Sequence, residues 1–155
     1  MKSCFLIGHR DASESLYPLI VNEIERHIIE YNVNEFIAGQ YGQFDRMTAR
    51  ATRALKARHP AVRLVLLLPY LRNESLPKGF DESVYPDGLE CVPKWFAISR
   101  ANQAMVDRCD YLITNVSRHY GGAWQCMEYA RRKGKHITNI QDRISHTAIF
   151  KAPKM

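Results

Sequence analysis

Two hydrophobic spacings take turns along this chain, and the alternation restricts its fold more than any other feature. Short, nearly unbroken apolar runs, "CFLIG" ending at Gly8, then "NEFIAG" and "VRLVLLLPY", are separated by longer segments whose apolar residues recur every three to four positions. In "SESLYPLIVNEIERHIIEYN" the residues Leu16, Leu19, Ile20, Ile24, Ile28 and Tyr31 fall at helical spacing, and in "QFDRMTARATRALKARH" so do Met47, Ala51, Ala54 and Leu55. Ser13 is placed to cap the first helix, where Pro18 is compatible only with the first turn or a kink. Two further helices, "KWFAISRANQAMVDRC" and "AWQCMEYARRKG", and two further strands, "DYLITNV" and "HITNI", complete five strands and four helices in alternation. Strands apolar on both faces belong to parallel sheets covered by helices, because parallel neighbours need crossover connections. The expectation is an α/β fold, a parallel sheet of about five strands in the order 3-2-1-4-5 between two helical layers. Ligands of such sheets bind beyond the carboxyl ends of the strands, where the strand order reverses.

The 155 residues suit one domain, expected over residues 1–140 with a C-terminal tail at 141–155. No apolar run approaches the ~18 residues of a membrane span. The opening "MKSCFLIGHRD" reads as a strand, not a signal peptide. Cys4, Cys91, Cys109 and Cys126 are scattered without a ligand-spaced partner, which argues against a zinc site and for free thiols in a reducing cytoplasm. No metal and no cofactor are expected. The net charge of +6 favours anionic partners, with basic residues concentrated in "RMTARATRALKARH" and "RRKGKH". A segment rich in Pro and Gly, residues 70–93, is the longest stretch without periodicity, and its role is open.

Three loops that follow strand ends carry glycine or charge: "GHRD", "GQYGQFD" and "SRHYGG". Gly121 and Gly122 precede a helix, whose unpaired N–H groups and positive dipole end attract anions; the same pair can equally serve only to relieve a turn. Their recurrence at three strand ends favours the ligand reading.

"FLIGHRD", "GQYGQFD", "FAISRANQAMVDRCDYLITNV" and "GGAWQCMEYA", in that order, resemble the SLOG superfamily, the group named for the Smf/DprA and LOG proteins. The likeness runs from about residue 3 to 140 and is closest to small stand-alone bacterial members. It implies a Rossmann-like three-layer sandwich. The LOG enzymes, phosphoribohydrolases that release a base from a nucleoside monophosphate, carry P-G-G-x-G-T-x-x-E after an upstream arginine. Gly121, Gly122 and Glu128 match by spacing, and Arg100 is the candidate for the arginine, one residue out of register. Tyr120 stands where the enzymes have proline, and Trp124 and Gln125 where they have Gly-Thr, so the phosphate cradle is altered.

In this frame Glu128 is the catalytic carboxylate, able to stabilise positive charge on a ribose, or else the partner of Arg131 or Arg132 in a surface ion pair. Arg100 either clamps phosphate or pairs on a helix face. Arg10 would meet a phosphate at the switch point, His9 would add a hydrogen bond, and Asp11 would cap the helix. Asp45 caps the second helix or holds ribose hydroxyls, and Gly39 and Gly42 permit close backbone approach. Tyr120 and Trp124, with Trp95 or Phe96, offer faces for a base, one of the adjacent pair being expected in the core. The sequence thus points to a cytoplasmic, homo-oligomeric protein that binds a nucleotide or nucleotide-derived small molecule with little or no turnover. A LOG-like N-glycosidic hydrolase and a nucleoside deoxyribosyltransferase-like enzyme are the catalytic alternatives. DprA-like binding of single-stranded nucleic acid is possible on charge but not favoured, because no groove-reading motif accompanies it.

Overall fold

Each central strand divides its side chains between two hydrophobic layers in the computed structural model, which describes residues 2–144. In β1 (Lys2–Gly8), Cys4 and Leu6 enter one layer, and Phe5 and Ile7 the other. In β2 (Val33–Ala38), Phe36 and Ala38 face the first and Ile37 the second. β3 (Arg63–Leu67) divides Leu64 from Val65 and Leu67, and β5 (Tyr111–Asn115) divides Ile113 from Leu112. Period-two alternation with both faces covered produces the unbroken apolar runs of the sequence.

The first layer is closed by α1 (Tyr17–Tyr31) and α2 (Gln43–Leu55), the second by α3 (Ala97–Arg108) and α4 (Gly122–Arg132). Pro18 occupies the second residue of α1, where a missing N–H costs nothing, and the Ser13 side chain accepts from the Ser15 N–H to cap the 3-10 turn Glu14–Leu16 that leads into the helix.

All pairings are parallel, and the sheet has six strands rather than five. Its order is β4-β3-β2-β1-β5-β6, with β4 at Glu82–Val84 and β6 at His136–Asn139. Removing β4 leaves the expected order, so the correction is one edge strand drawn from the 70–93 segment. Asp81 fixes that strand: it accepts the Leu64 N–H at 2.7 Å, donates its own N–H to the Leu64 carbonyl at 2.8 Å, and pairs with Lys56 Nζ at 2.6 Å. Residues 140–144 continue as a helical turn, with Ile140 buried and Ile144 packed against the α1/α2 layer. The remainder of the expected tail, 145–155, lies outside the described residues. No helix among the described residues is long and apolar enough to cross a membrane.

Candidate functional site

The reversal of strand order falls between β1 and β5, and a cleft of about 340 Å³ opens there at the carboxyl edge of the sheet. Gly8, His9, Arg10 and Asp11 reach it from the end of β1, Gly39, Tyr41 and Asp45 from the turn between β2 and α2, and Gly121 and Gly122 from the start of α4. Ile98, Ala101 and Asn102 of α3 close one side. The helices α2, α3 and α4 all begin without a side-chain cap, at Gly42, Phe96 and Gly121 respectively. The first N–H of α2, on Gln43, is taken by the Arg10 carbonyl, and α3 continues the 3-10 turn Lys94–Phe96; the start of α4 has no such tie among the described residues, and the dipole of each helix presents its positive end.

Internal ties hold the loops in register. The His9 N–H donates to the Asn115 carbonyl at 3.1 Å, and His9 Nε2 accepts the N–H groups of Ser117 at 3.0 Å and Arg118 at 3.3 Å. An acceptor at Nε2 places the ring proton on Nδ1. Burial, and then the Arg118 charge, push the His9 pKa below its usual value, consistent with a neutral ring. The role expected of His9, donating to a ligand, is thus joined by a structural one. Asn139 grips the following residue from β6, accepting the Val116 N–H and donating to its carbonyl, each at 3.0 Å.

Asp11 does not cap α1. Its carboxylate takes both terminal nitrogens of Arg118, at 2.8 and 3.1 Å, which holds its pKa below the usual carboxylate range. This exposed pair bridges the loops after β1 and β5 across the cleft. Arg118 Nε is buried without a hydrogen-bond partner among the described residues, and the guanidinium lies 5.4 Å from the Tyr120 ring centroid. Arg10 makes no ion pair among the described residues; it lies 5.9 Å from the centroid of Tyr41, and its carbonyl accepts the Gln43 N–H at 2.9 Å. Asp45 accepts the Tyr41 N–H at 3.0 Å, and desolvation raises its pKa against the pull of that bond and of Arg10.

The five glycines differ in purpose. A Cβ on Gly8 would lie 2.6 Å from the Phe44 ring, and one on Gly42 2.6 Å from Arg10 Cα, so both are small because protein fills the space. A Cβ on Gly39 would meet the Asp45 carboxylate at 3.0 Å. Nothing lies within 4 Å of such an atom on Gly121 or Gly122, and Gly121 has φ +93°. Only this last pair leaves open space beside backbone N–H groups.

Seven sequence candidates do not line the cleft: Gly42, packed against Arg10, and the six residues that follow. Arg100 lines a separate depression with Asp107 and Tyr129, and Glu128 pairs with Arg131 on the surface of α4. Tyr120 is exposed, while Trp124 is partly buried against the α3/α4 layer, its ring 6.3 Å from that of His119. Trp95 and Phe96 are both exposed, their rings 4.8 Å apart, so neither is a core residue. Arg118 was missed, although the quoted "SRHYGG" contains it; a cation in a glycine loop after a strand was the available signal. Among the described residues no group of three His, Cys, Asp or Glu side chains is arranged to hold a metal ion.

No family model matches the sequence, and comparison with curated proteins finds no match. Solved structures do resemble it. DNA processing protein A (DprA) from Streptococcus pneumoniae superposes with TM-score 0.65 at 16% identity, over 90% of this chain and 50% of that one. DprA from Helicobacter pylori, described for its single-stranded DNA binding mode, gives 0.63 at 12% identity, over 89% of this chain and 64% of that one. The Moco carrier protein from Chlamydomonas reinhardtii gives 0.57 at 14% identity, over 90% and 76%. This chain therefore spans between half and two-thirds of the DprA chains it resembles. The likeness is one of fold: a Rossmann-like α/β sandwich.

Proposed function

We propose that the protein binds a nucleotide or a nucleotide-derived small molecule in the cleft between β1 and β5, holding it by phosphate and not hydrolysing it. The observation that carries this reading is the meeting, at one cleft, of an arginine without an ion-pair partner among the described residues, Arg10, and two glycines with open space above them, Gly121 and Gly122, at an uncapped helix start. The Moco carrier neighbour is named for a small-molecule cargo, and ligand binding on this fold agrees with the reading. Separation of Glu128 and Arg100 from the cleft favours binding over N-glycosidic hydrolysis.

A nucleic-acid reading draws on the DprA neighbours and the +6 charge. The arginines of α2 speak against it. Arg50 pairs with Glu14 and lies 4.1 Å from the Tyr17 ring centroid, Arg46 donates to Gln43 at 3.3 Å, and Arg53 packs over Gly79.

Calorimetric titration with nucleosides and their 5′-monophosphates is the test. Arg10→Ala is expected to weaken the monophosphate by about 1.5–3 kcal/mol and leave the nucleoside unchanged. Equal losses for both would reject the phosphate role, and free base released by the parent protein would reject binding without turnover.

A further inference from the structure

A second cavity of about 280 Å³ adjoins the cleft and shares Ile98, Asn102 and Gly122 with it. It occupies the groove between α3 and α4, bordered by Trp95 before α3 and by Arg132 in the last turn of α4. Gly122 lines both cavities, and apart from its chain neighbours and its own helix backbone nothing lies within 4 Å of a Cβ placed on it.

The lining has the chemistry of a base-reading surface. Trp95 is 80% exposed, far more than a large aromatic ring ordinarily is, and Phe96 beside it keeps its ring tilted against the indole. The amides of Asn102, Gln103 and Gln125 have no side-chain hydrogen-bond partner among the described residues, and Arg132 has no ion pair there. An amide offers a donor and an acceptor side by side, which is the pattern on the edge of a nucleobase. Each cavity is near the lower limit of ligand pockets, roughly 300 Å³, so each suits one nucleoside unit and neither suits two.

We propose that the α3/α4 cavity is a second base subsite, and that the ligand is a dinucleoside diphosphate: one nucleoside in the cleft, the other between Trp95 and Gln125, and the diphosphate beside Gly122. The inference rests on the nucleotide-binding reading of the cleft. It adds that the two nucleoside units bind as one tethered ligand, so the second site raises affinity through its effective concentration.

The experiment compares adenosine monophosphate with diadenosine diphosphate, and repeats the pair for guanosine, uridine and cytidine, by calorimetry and by quenching of tryptophan fluorescence. At least one diphosphate is expected to bind about tenfold or more tighter than its monophosphate, with quenching that Trp95→Ala removes. Trp95→Ala and Gln125→Ala should each bring the diphosphate down towards its monophosphate while leaving the monophosphate unchanged, and Arg10→Ala should weaken both. Both side chains lie on the exposed surface, and circular dichroism verifies that the variants fold. Equal affinity for the two ligand sizes overturns the second subsite and leaves the cleft reading standing; no binding of either kind overturns both. Affinity that climbs with the length of an oligonucleotide would make the groove a strand path, and a change in sedimentation of the ligand-free protein on Trp95→Ala would assign Trp95 to a second copy. Either result overturns the proposal.

Discussion

A single methyl group distinguishes what the glycines of the cleft are for. Gly42→Ala would push a carbon to 2.6 Å from Arg10 Cα, backbone that cannot turn aside, and is expected to destabilise the protein by about 1–3 kcal/mol in urea denaturation. Gly122→Val meets open space, so the melting temperature should hold while phosphate-dependent binding disappears; retention of binding would remove Gly122 from the site. The sequence displayed both glycines alike, because spacing records where a glycine stands and not which atoms face it. His9 illustrates the same blindness. Its place after β1 was legible, but its two bonds to the β5 loop depend on strands 108 residues apart meeting as neighbours. With its pKa depressed by burial and Arg118, the folded protein refuses a proton that the unfolded chain accepts near pH ~6.5. The unfolded state then binds more protons in the window just below that value, so stability rises with pH across it and falls on acidification. Because His27, also depressed by burial, contributes with the same sign, the measurement is a difference: His9→Gln should flatten, not abolish, the loss of stability between about pH 7.5 and 5.5. An unchanged slope would show that His9 is not held neutral.

At the scale of elements, long periodic segments were readable and short ones tied by single contacts were not. The four helices each bury one face, and the five longer strands are apolar on both sides or framed by turn residues, so pattern alone located them. β4 has three residues, none of them fully buried, in a segment dense with proline and glycine. Its position depends on Asp81, whose carboxylate holds the Leu64 N–H and Lys56 together. Asp81→Ala should cost about 1–2 kcal/mol, the scale of a backbone donor losing its acceptor, and should speed hydrogen exchange at Leu64 more than at residues of β1. Uniform acceleration throughout the sheet would mean that β4 is not a separate opening unit. The loops of the cleft follow the same division: the strand ends that carry them were predictable, whereas the placement of Glu128 on α4 outside the cleft was set by helix phase and its pairing with Arg131.

For the molecule as a whole, the net charge of +6 favours anionic partners while the local contacts of the arginines point away from nucleic acid. If the local contacts prevail, single-stranded oligonucleotides should bind weakly, and Arg50→Ala with Arg53→Ala should leave the slope of affinity against salt unchanged. A slope that falls by about one unit per arginine would identify them as phosphate contacts and favour the DprA-like function. The sulfur chemistry of the two layers leads elsewhere. Cys4, Cys109 and Cys126 are buried, and desolvation raises their thiols, Cys109 to about 11 and Cys126 to about 12. Cys91 alone is exposed. Thiolate is the reactive form, so an alkylating reagent at neutral pH should mark Cys91 quickly and reach the other three only when the sheet comes apart. Mass spectrometry of the adducts over time would then show one prompt modification followed by three delayed ones, and the delay would serve as an internal clock for opening of the core, recorded without any introduced label.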